Sequence, residues 1–245
     1  MNALLLLGTL INSGAIVLGA GVGCLRKRPL SAENQLFLKT VLGAGAAFAG
    51  VWLIWKSING TLGQVLWQLA IVMLAMMLGK LAGRILRLQK LSNRLGQFAR
   101  RRIAAATPGP EEVHSDGVNV CAALFCAAPL GILGAISESL GAGPWPLLIK
   151  AVMDGLAAFS FVALFGWTVA LSALPVLAFQ GTISLAVGLL ALPWLSARHL
   201  VDPINATAGL LIFAVALLIF EVRRVEVADY LPSLIWAPLL TLWLA

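Results

Sequence analysis

Charge is scarce in this 245-residue sequence: Lys and Arg number 17 and Asp and Glu 10, so 11% of the chain is charged. Soluble domains carry about 25%, and a chain this poor in charge can neither solvate a globular surface nor stay disordered. Only three cysteines occur, Cys24, Cys121 and Cys126. They form no CxxC pair and cannot staple a disulfide scaffold, so they read as packing residues. The two histidines, His114 and His199, fall in different polar connections with no second ligand at a metal spacing, which excludes a zinc or iron site. No Ser-His-Asp set, no pair of catalytic carboxylates and no Walker sequence can be assembled. The glycines fit no dinucleotide fingerprint. The chain is therefore read as a protein that is not an enzyme and needs no cofactor.

What is abundant is hydrocarbon: 60% of residues are hydrophobic and the mean hydropathy is +0.96. A membrane-crossing helix needs about 20 apolar residues. Eight segments qualify, some only if short or tilted, at residues 3–25, 40–56, 63–83, 117–137, 146–171, 174–195, 205–221 and 230–245. The expected fold is an all-α polytopic transmembrane bundle of about eight helices. No basic residue precedes the first run and Arg26-Lys27-Arg28 follow it, the charge order of an uncleaved first helix rather than a signal peptide. The prolines Pro144, Pro146, Pro175 and Pro203 sit at or near segment ends, where they are tolerated.

If the eight spans alternate, one face holds Arg26, Lys27, Arg28, Lys39, Lys80, Arg84, Arg87, Lys90, Arg94, Arg100, Arg101, Arg102, Arg223 and Arg224. That is fourteen of the 17 basic residues, leaving Lys56, Lys150 and Arg198 for the other. The positive-inside rule then places both termini outside the cytoplasm, in a bacterial inner membrane. The net charge of +7 accordingly marks cytoplasmic loops and not nucleic-acid binding, because no stacking aromatics beyond Phe98 interleave these charges. Leu81, Ile85, Leu88, Leu91, Leu95 and Phe98 recur at helical spacing opposite Arg84, Arg87, Lys90, Arg94 and Arg101. The third helix is thus expected to continue as an amphipathic cytoplasmic helix lying on anionic headgroups. A linker at 104–116 separates an amino-terminal three-helix unit, 1–103, from a carboxyl-terminal five-helix unit, 117–245, within one membrane domain.

Leu7-Gly8-Thr9-Leu10-Ile11-Asn12 resembles Gln180-Gly181-Thr182-Ile183-Ser184-Leu185, and Ser31-Ala32-Glu33 through Gly43-Ala44-Gly45 resembles Ser196-Ala197-Arg198 through Ala206-Thr207-Ala208-Gly209. Helices one to three would then repeat as helices six to eight. An offset of five helices makes the two copies cross in opposite directions, as in the inverted repeats of many secondary transporters. Chance likeness between runs of Gly, Ala and Leu is the competing explanation.

Polar groups inside the bilayer are costly, so they mark a cavity, a partner or the interface. Lys150 and Asp154, four apart on helix five, share one face, with Asp154 about 12 Å into the span at 1.5 Å per residue. They form either a self-neutralising ion pair or a site where the aspartate binds and releases a cation or proton. Asn12, Gln180 and Thr182 could ligate a small polar solute, or could simply join helices. Glu138, expected near the outer surface, is a candidate gate or a solvated end charge. Gly19, Gly21 and Gly23, Gly79 and Gly83, and Gly131 with Gly134 offer small faces for close helix approach, and these fit a homodimer.

Ile11-Asn12-Ser13 with the glycines to Gly23, Leu124-Phe125-Cys126 through Gly131-Ile132-Leu133-Gly134-Ala135, Glu138, Lys150, Asp154-Gly155, Phe179-Gln180, Ala208-Gly209-Leu210-Leu211-Ile212 and Leu231-Pro232 together resemble the YqgA-type bacterial multi-pass inner-membrane proteins. That family is catalogued as domain of unknown function 554. The likeness spans essentially the whole chain and is most specific from Phe125 to Gly155. It implies an inner-membrane location and no settled activity, and it places Asn12, Glu138, Lys150, Asp154 and Gln180 in the family pattern. The functional expectation is a secondary transporter or exporter of a small polar or charged solute, coupled to a proton or cation at Asp154. The competing expectations are an oligomeric channel and a protein that docks a partner through the basic helix.

Overall fold

The computed structural model describes residues 6–26, 31–105 and 112–244, and for 105 and 112–116 the backbone alone. All regular structure among the described residues is helical. Helix α1 (Leu7–Leu25), α2 (Ala32–Ser57) and α3 (Leu62–Leu86) are followed by α4 (Leu88–Ala105), α5 (Glu112–Ala127), α6 (Pro129–Ser139) and α7 (Trp145–Phe165). A 3-10 stretch, Gly166–Ser172, leads into α8 (Ala173–Leu185), and a π-helical stretch, Ala186–Ala191, into α9 (Leu192–Ser196). Helices α10 (Val201–Ile219), α11 (Val227–Tyr230) and α12 (Ser233–Leu244) complete the described chain.

Several boundaries depart from the sequence reading, each for a local reason. Helix α2 starts eight residues before position 40, because the Ser31 hydroxyl accepts the Asn34 N–H at 3.3 Å and caps a turn the hydropathy pattern misses. Helix α3 does not continue into the amphipathic helix: Arg87 adopts φ 55°, ψ 37°, the left-handed conformation that ends a helix, and α4 starts anew. The expected helix four is two helices, α5 and α6, bent by 59° at the break. Pro129 is the first residue of α6, and its ring and missing N–H interrupt the ladder there. The linker shrinks, since 104–105 belong to α4 and 112–116 to α5, while 106–111 lie outside the described residues. Helix five ends at Phe165 rather than at residue 171, and α10 begins at Val201 rather than at 205. The last segment breaks into α11 and α12 at Leu231-Pro232.

Among the described residues six helical stretches are long and apolar enough to cross a membrane, and the bent pair makes a seventh. One of the six, Trp145–Ser196, has 52 residues, about 78 Å at 1.5 Å per residue against a hydrocarbon core of about 30 Å. It doubles back at Gly166, whose φ is 67°: Asn12 touches both Asp154 on its first arm and Gln180 on its second. Counted as two passes, the stretch brings the total to eight.

Glycine contacts fix the relative directions. Along α1 and α7, Gly8 meets Leu147, Gly19 meets Gly155 and Gly23 meets Phe159, so these helices run parallel. Helices α2 and α10 run antiparallel, with Gly43 on Phe220 and Gly50 on Gly209. So do α3 and α12, with Gly79 on Ser233 just ahead of the α11 contact of Gly83 with Asp229. These directions suit passes that alternate, with the described chain beginning and ending on one face. The three crossings are so close that a Cβ on Gly19 would sit 2.0 Å from the Gly155 oxygen, which only glycine allows. Gly19, Gly23, Gly79, Gly83, Gly131 and Gly134 are all spent on contacts inside the chain, whereas Gly14 and Gly21 face open space.

Three apolar clusters result among the described residues, the smallest joining Ile71 and Ala75 of α3 to Ala237 and Leu240 of α12. Of the two larger cores, the first gathers Leu133, Leu200, Leu211 and Ile212 around α10, and the second gathers Ile16, Cys121, Phe125, Phe165 and Val169 around α1, α5 and α7. The polar cluster lies on the helices that surround the second core.

Candidate functional site: a buried polar cluster beside a cavity

Four of the five residues assigned to a central site meet. Helix α7 carries Lys150 and Asp154 one turn apart, and their side chains form an ion pair that is 2% and 9% exposed, respectively. From α1, Asn12 directs its Nδ2 amide to Asp154 Oδ2 at 3.2 Å and to Gln180 Oε1 of α8 at 3.2 Å. The amide thereby ties three helices together. Taking two charges out of water costs several kcal/mol per ion, so the pair persists because each charge answers the other and Asn12 supplies a further donor. Two polar atoms in the cluster, Asn12 Oδ1 and Gln180 Nε2, are buried without a hydrogen-bond partner. Such orphans are uncommon in folded proteins.

Thr182 does not belong to this cluster. It is exposed, and its hydroxyl donates to the Ala178 carbonyl at 2.7 Å, because two residues from Gln180 is about 200° around a helix. Ser184, one turn beyond Gln180, is buried instead, where its carbonyl accepts the Ser139 hydroxyl at 3.0 Å.

Sequence reasoning missed the break in helix four, although Pro129 in mid-segment was its signal. The break places the first turn of α6 against the cluster: a Cβ built on Gly131 would lie 2.8 Å from Lys150 Cε and 3.0 Å from Gln180 Nε2. Beside the break opens a cavity of about 630 Å³, within the size range of small-molecule sites. Its wall includes Asn93, Gln97 and Arg100 of α4, Leu124 and Phe125 of α5, Pro129, Met153, Asp154 and Arg224. Asp154 thus faces the cavity, and the arginines come from the basic face of the molecule.

Glu138 is buried at 7% exposure, not a solvated end charge. Its Oε1 accepts the Gly8 N–H at 2.6 Å and serves as the cap that Leu6, an apolar residue at the N-cap of α1, lacks. The same device recurs on α4, where Asp229 Oδ1 accepts the Gln89 N–H at 2.7 Å and Gln89 Oε1 accepts the Ala228 N–H at 3.1 Å. The basic residues Arg84, Arg87, Lys90, Arg94 and Arg101 are exposed. Arg84 and Arg87 close α3 and the others ride on α4, whose Ala99 and Ile103 pack on the second core while Leu91, Leu95 and Phe98 stay bare. On the opposite face a second cavity, about 270 Å³, is bordered by Asn59, Trp67, His199 and Asp202.

One sequence family covers nearly the whole chain. Residues 7–242 match the family described as protein of unknown function (DUF554). The chain belongs to this family. It is 30% identical to the "Uncharacterized protein YqgA" of Escherichia coli (strain K12) over 98% of this chain and 99% of that one. It is 27% identical to the "Uncharacterized membrane protein YdfK" of Bacillus subtilis (strain 168), over 94% of this chain and 93% of the relative. No solved structure matches the chain. The relatives agree with the apolar helices in making this a multi-pass membrane protein in contact with lipid.

Proposed function

We propose that the protein is a secondary transporter or exporter of a small polar or charged solute, with a central site formed by Asn12, Lys150, Asp154 and Gln180 and with a proton or cation coupled at Asp154. The observation that carries this reading is a paired carboxylate, buried on an apolar helix, in the wall of a cavity large enough for a solute. Ionisable groups within membrane spans mark solute and proton pathways. A helix broken at mid-depth is a recurring element of transporter sites, because its two ends expose unpaired backbone groups there. Two pairs of helices assigned to the repeat, α2 with α10 and α3 with α12, run antiparallel, the relative direction that an inverted repeat requires.

In this reading the fourteen-residue basic face is cytoplasmic, both termini are outside, the membrane is the bacterial inner membrane, and α4 rests its bare Leu91, Leu95 and Phe98 on anionic headgroups. The 630 Å³ cavity is then the cytoplasmic approach to the site, and Glu138 closes the outer end by holding α1 to α6. Asp154 pairs with Lys150 on its own helix and accepts the Asn12 amide of α1, Gln180 of α8 bonds to that same amide, Cys126 of α5 lies within its electrostatic reach, and Arg100 of α4 and Arg224 after α10 share its cavity wall.

Proteoliposomes with a trapped pH-sensitive dye, challenged with a panel of small carboxylates, amines and sugars, test the reading. A solute-dependent pH change in the wild type that Asp154→Asn lacks is expected. Equal signals from both proteins would remove Asp154 from coupling, and a solute flux far above the turnover of alternating access would favour a channel.

A further inference from the structure

The cluster around Asp154 is richer in hydrogen-bond donors than in acceptors. Lys150, 1% exposed, carries three ammonium protons, and Asp154 is its partner. Gln180, fully buried, holds a free Nε2 amide. Both lie against the first turn of α6 at Gly131, an 11-residue helix whose N-terminal end carries a partial positive charge, the Gly131 N–H itself being bonded to the Ala128 carbonyl at 3.0 Å. A buried ammonium, a free amide and a helix N-terminus converging on one point suit an anion.

The cavity favours the same sign. Its charged wall residues are Arg100, Arg224 and Asp154, and Asp154 is already neutralised by Lys150, so two positive charges are left to draw anions inward. Leu124, Phe125 and Met153 supply an apolar side. Asp154 borders this cavity and Lys150 does not, so the aspartate stands between an arriving solute and the ammonium.

We infer that the solute is a small organic carboxylate with a short apolar tail, whose anion replaces Asp154 as the counter-ion of Lys150. This rests on the transport reading above. The site already holds one carboxylate, its own, on Lys150 Nζ and Asn12 Nδ2, and an incoming carboxylate finds the same donors. Proton and charge balance: one proton neutralises Asp154, one carboxylate anion then compensates Lys150, and the net charge of the site is unchanged. An uncompensated buried ammonium is unfavourable, so neither step is favoured without the other, which makes the pair of events a coupled co-transport of proton and anion.

Thermal unfolding of the full-length protein in nonionic detergent, with sodium butyrate, butyramide, butylammonium chloride and sodium chloride at matched ionic strength, tests the inference. Butyrate alone is expected to raise the melting temperature of the wild type. Asp154→Asn, which leaves Lys150 without its carboxylate, is expected to respond at a half-saturating butyrate concentration at least tenfold lower. The double variant Lys150→Gln/Asp154→Asn strands no buried charge and is expected to lose the response. Should the double variant fail to fold, Gln180→Leu, which removes one donor and keeps the ion pair, is expected to respond more weakly than the wild type. A response as strong as that of the wild type in whichever of these two variants folds would overturn the inference. Stabilisation by butyramide or butylammonium instead would overturn the carboxylate while leaving a solute site standing. No stabilisation by any probe would overturn the carboxylate, and only if joined by silent proteoliposomes would it overturn transport as well.

Discussion

Glu138 caps the first helix from 130 positions away, its Oε1 accepting the Gly8 N–H at 2.6 Å. The start of α1 offers no polar cap of its own, and the first N–H groups of any helix lack internal partners. In hydrocarbon, water cannot take that role. The carboxylate therefore joins the start of α1 to the end of α6. Glu138→Ala should destabilise the protein by about 1–3 kcal/mol, the cost of an unsatisfied buried amide, and Glu138→Gln, which retains an acceptor oxygen, should cost less. Denaturation monitored in detergent would check this, and equal losses from both variants would contradict the capping role.

Close approach of backbones gives a second expectation. Gly19→Ala would place a Cβ 2.0 Å from the Gly155 oxygen, whereas Gly21→Ala meets nothing within 4 Å. The first should cost about 1–3 kcal/mol or more, as overpacking does when backbone must move, and the second should be nearly neutral. Melting temperatures of the two variants, measured side by side, decide it.

The reciprocal bonds between Gln89 and Asp229 with its neighbour Ala228 hold α4 beneath the cavity. Removing a helix cap costs about 1 kcal/mol, a loss that falls on α4 rather than on the whole fold. Asp229→Ala should leave the global melting temperature nearly unchanged and speed tryptic cleavage at Lys90, Arg94 and Arg101. Unaltered cleavage kinetics would show that packing on α5 holds the helix alone.

At the basic face Lys39 and Glu221 pair at 2.5 Å. The hydrogen bond from the Lys39 ammonium, together with its charge, holds the Glu221 carboxyl below the ordinary carboxylate range. A depressed carboxyl stabilises the fold above its unfolded pKa, and the contribution disappears as pH falls through the folded value. For an exposed pair the effect is small and salt-sensitive. The difference in melting temperature between wild type and Lys39→Gln should be greatest near neutral pH and shrink on acidification below the carboxylate range. A difference that grew in acid would have the wrong sign for this pair.

Most of the membrane architecture was legible because hydropathy reports directly on the solvent each segment meets. Terminal turns were not, because they depend on single capping atoms: the Ser31 hydroxyl extends α2 past a polar stretch, and the left-handed Arg87 ends α3 inside a continuous amphipathic pattern. Lys150 and Asp154 could be paired from spacing alone, since four residues return to the same face of a helix. Thr182 was misplaced by the same geometry, as a neighbour of Gln180 that points away from it.

By itself, then, the sequence determined that this chain crosses a membrane many times, which of its faces is basic, and which ionisable residues lie within the apolar segments. Those properties follow from composition and from periodicities local to one helix. Only the tertiary structure decided that Asn12 bridges Asp154 and Gln180, that Glu138 serves α1, and that the break at Pro129 opens a cavity onto Asp154. These are contacts between helices, and their partners, up to 168 positions apart for Asn12 and Gln180, are chosen by which glycine faces allow two backbones to touch, a property of pairs of helices that no single segment encodes.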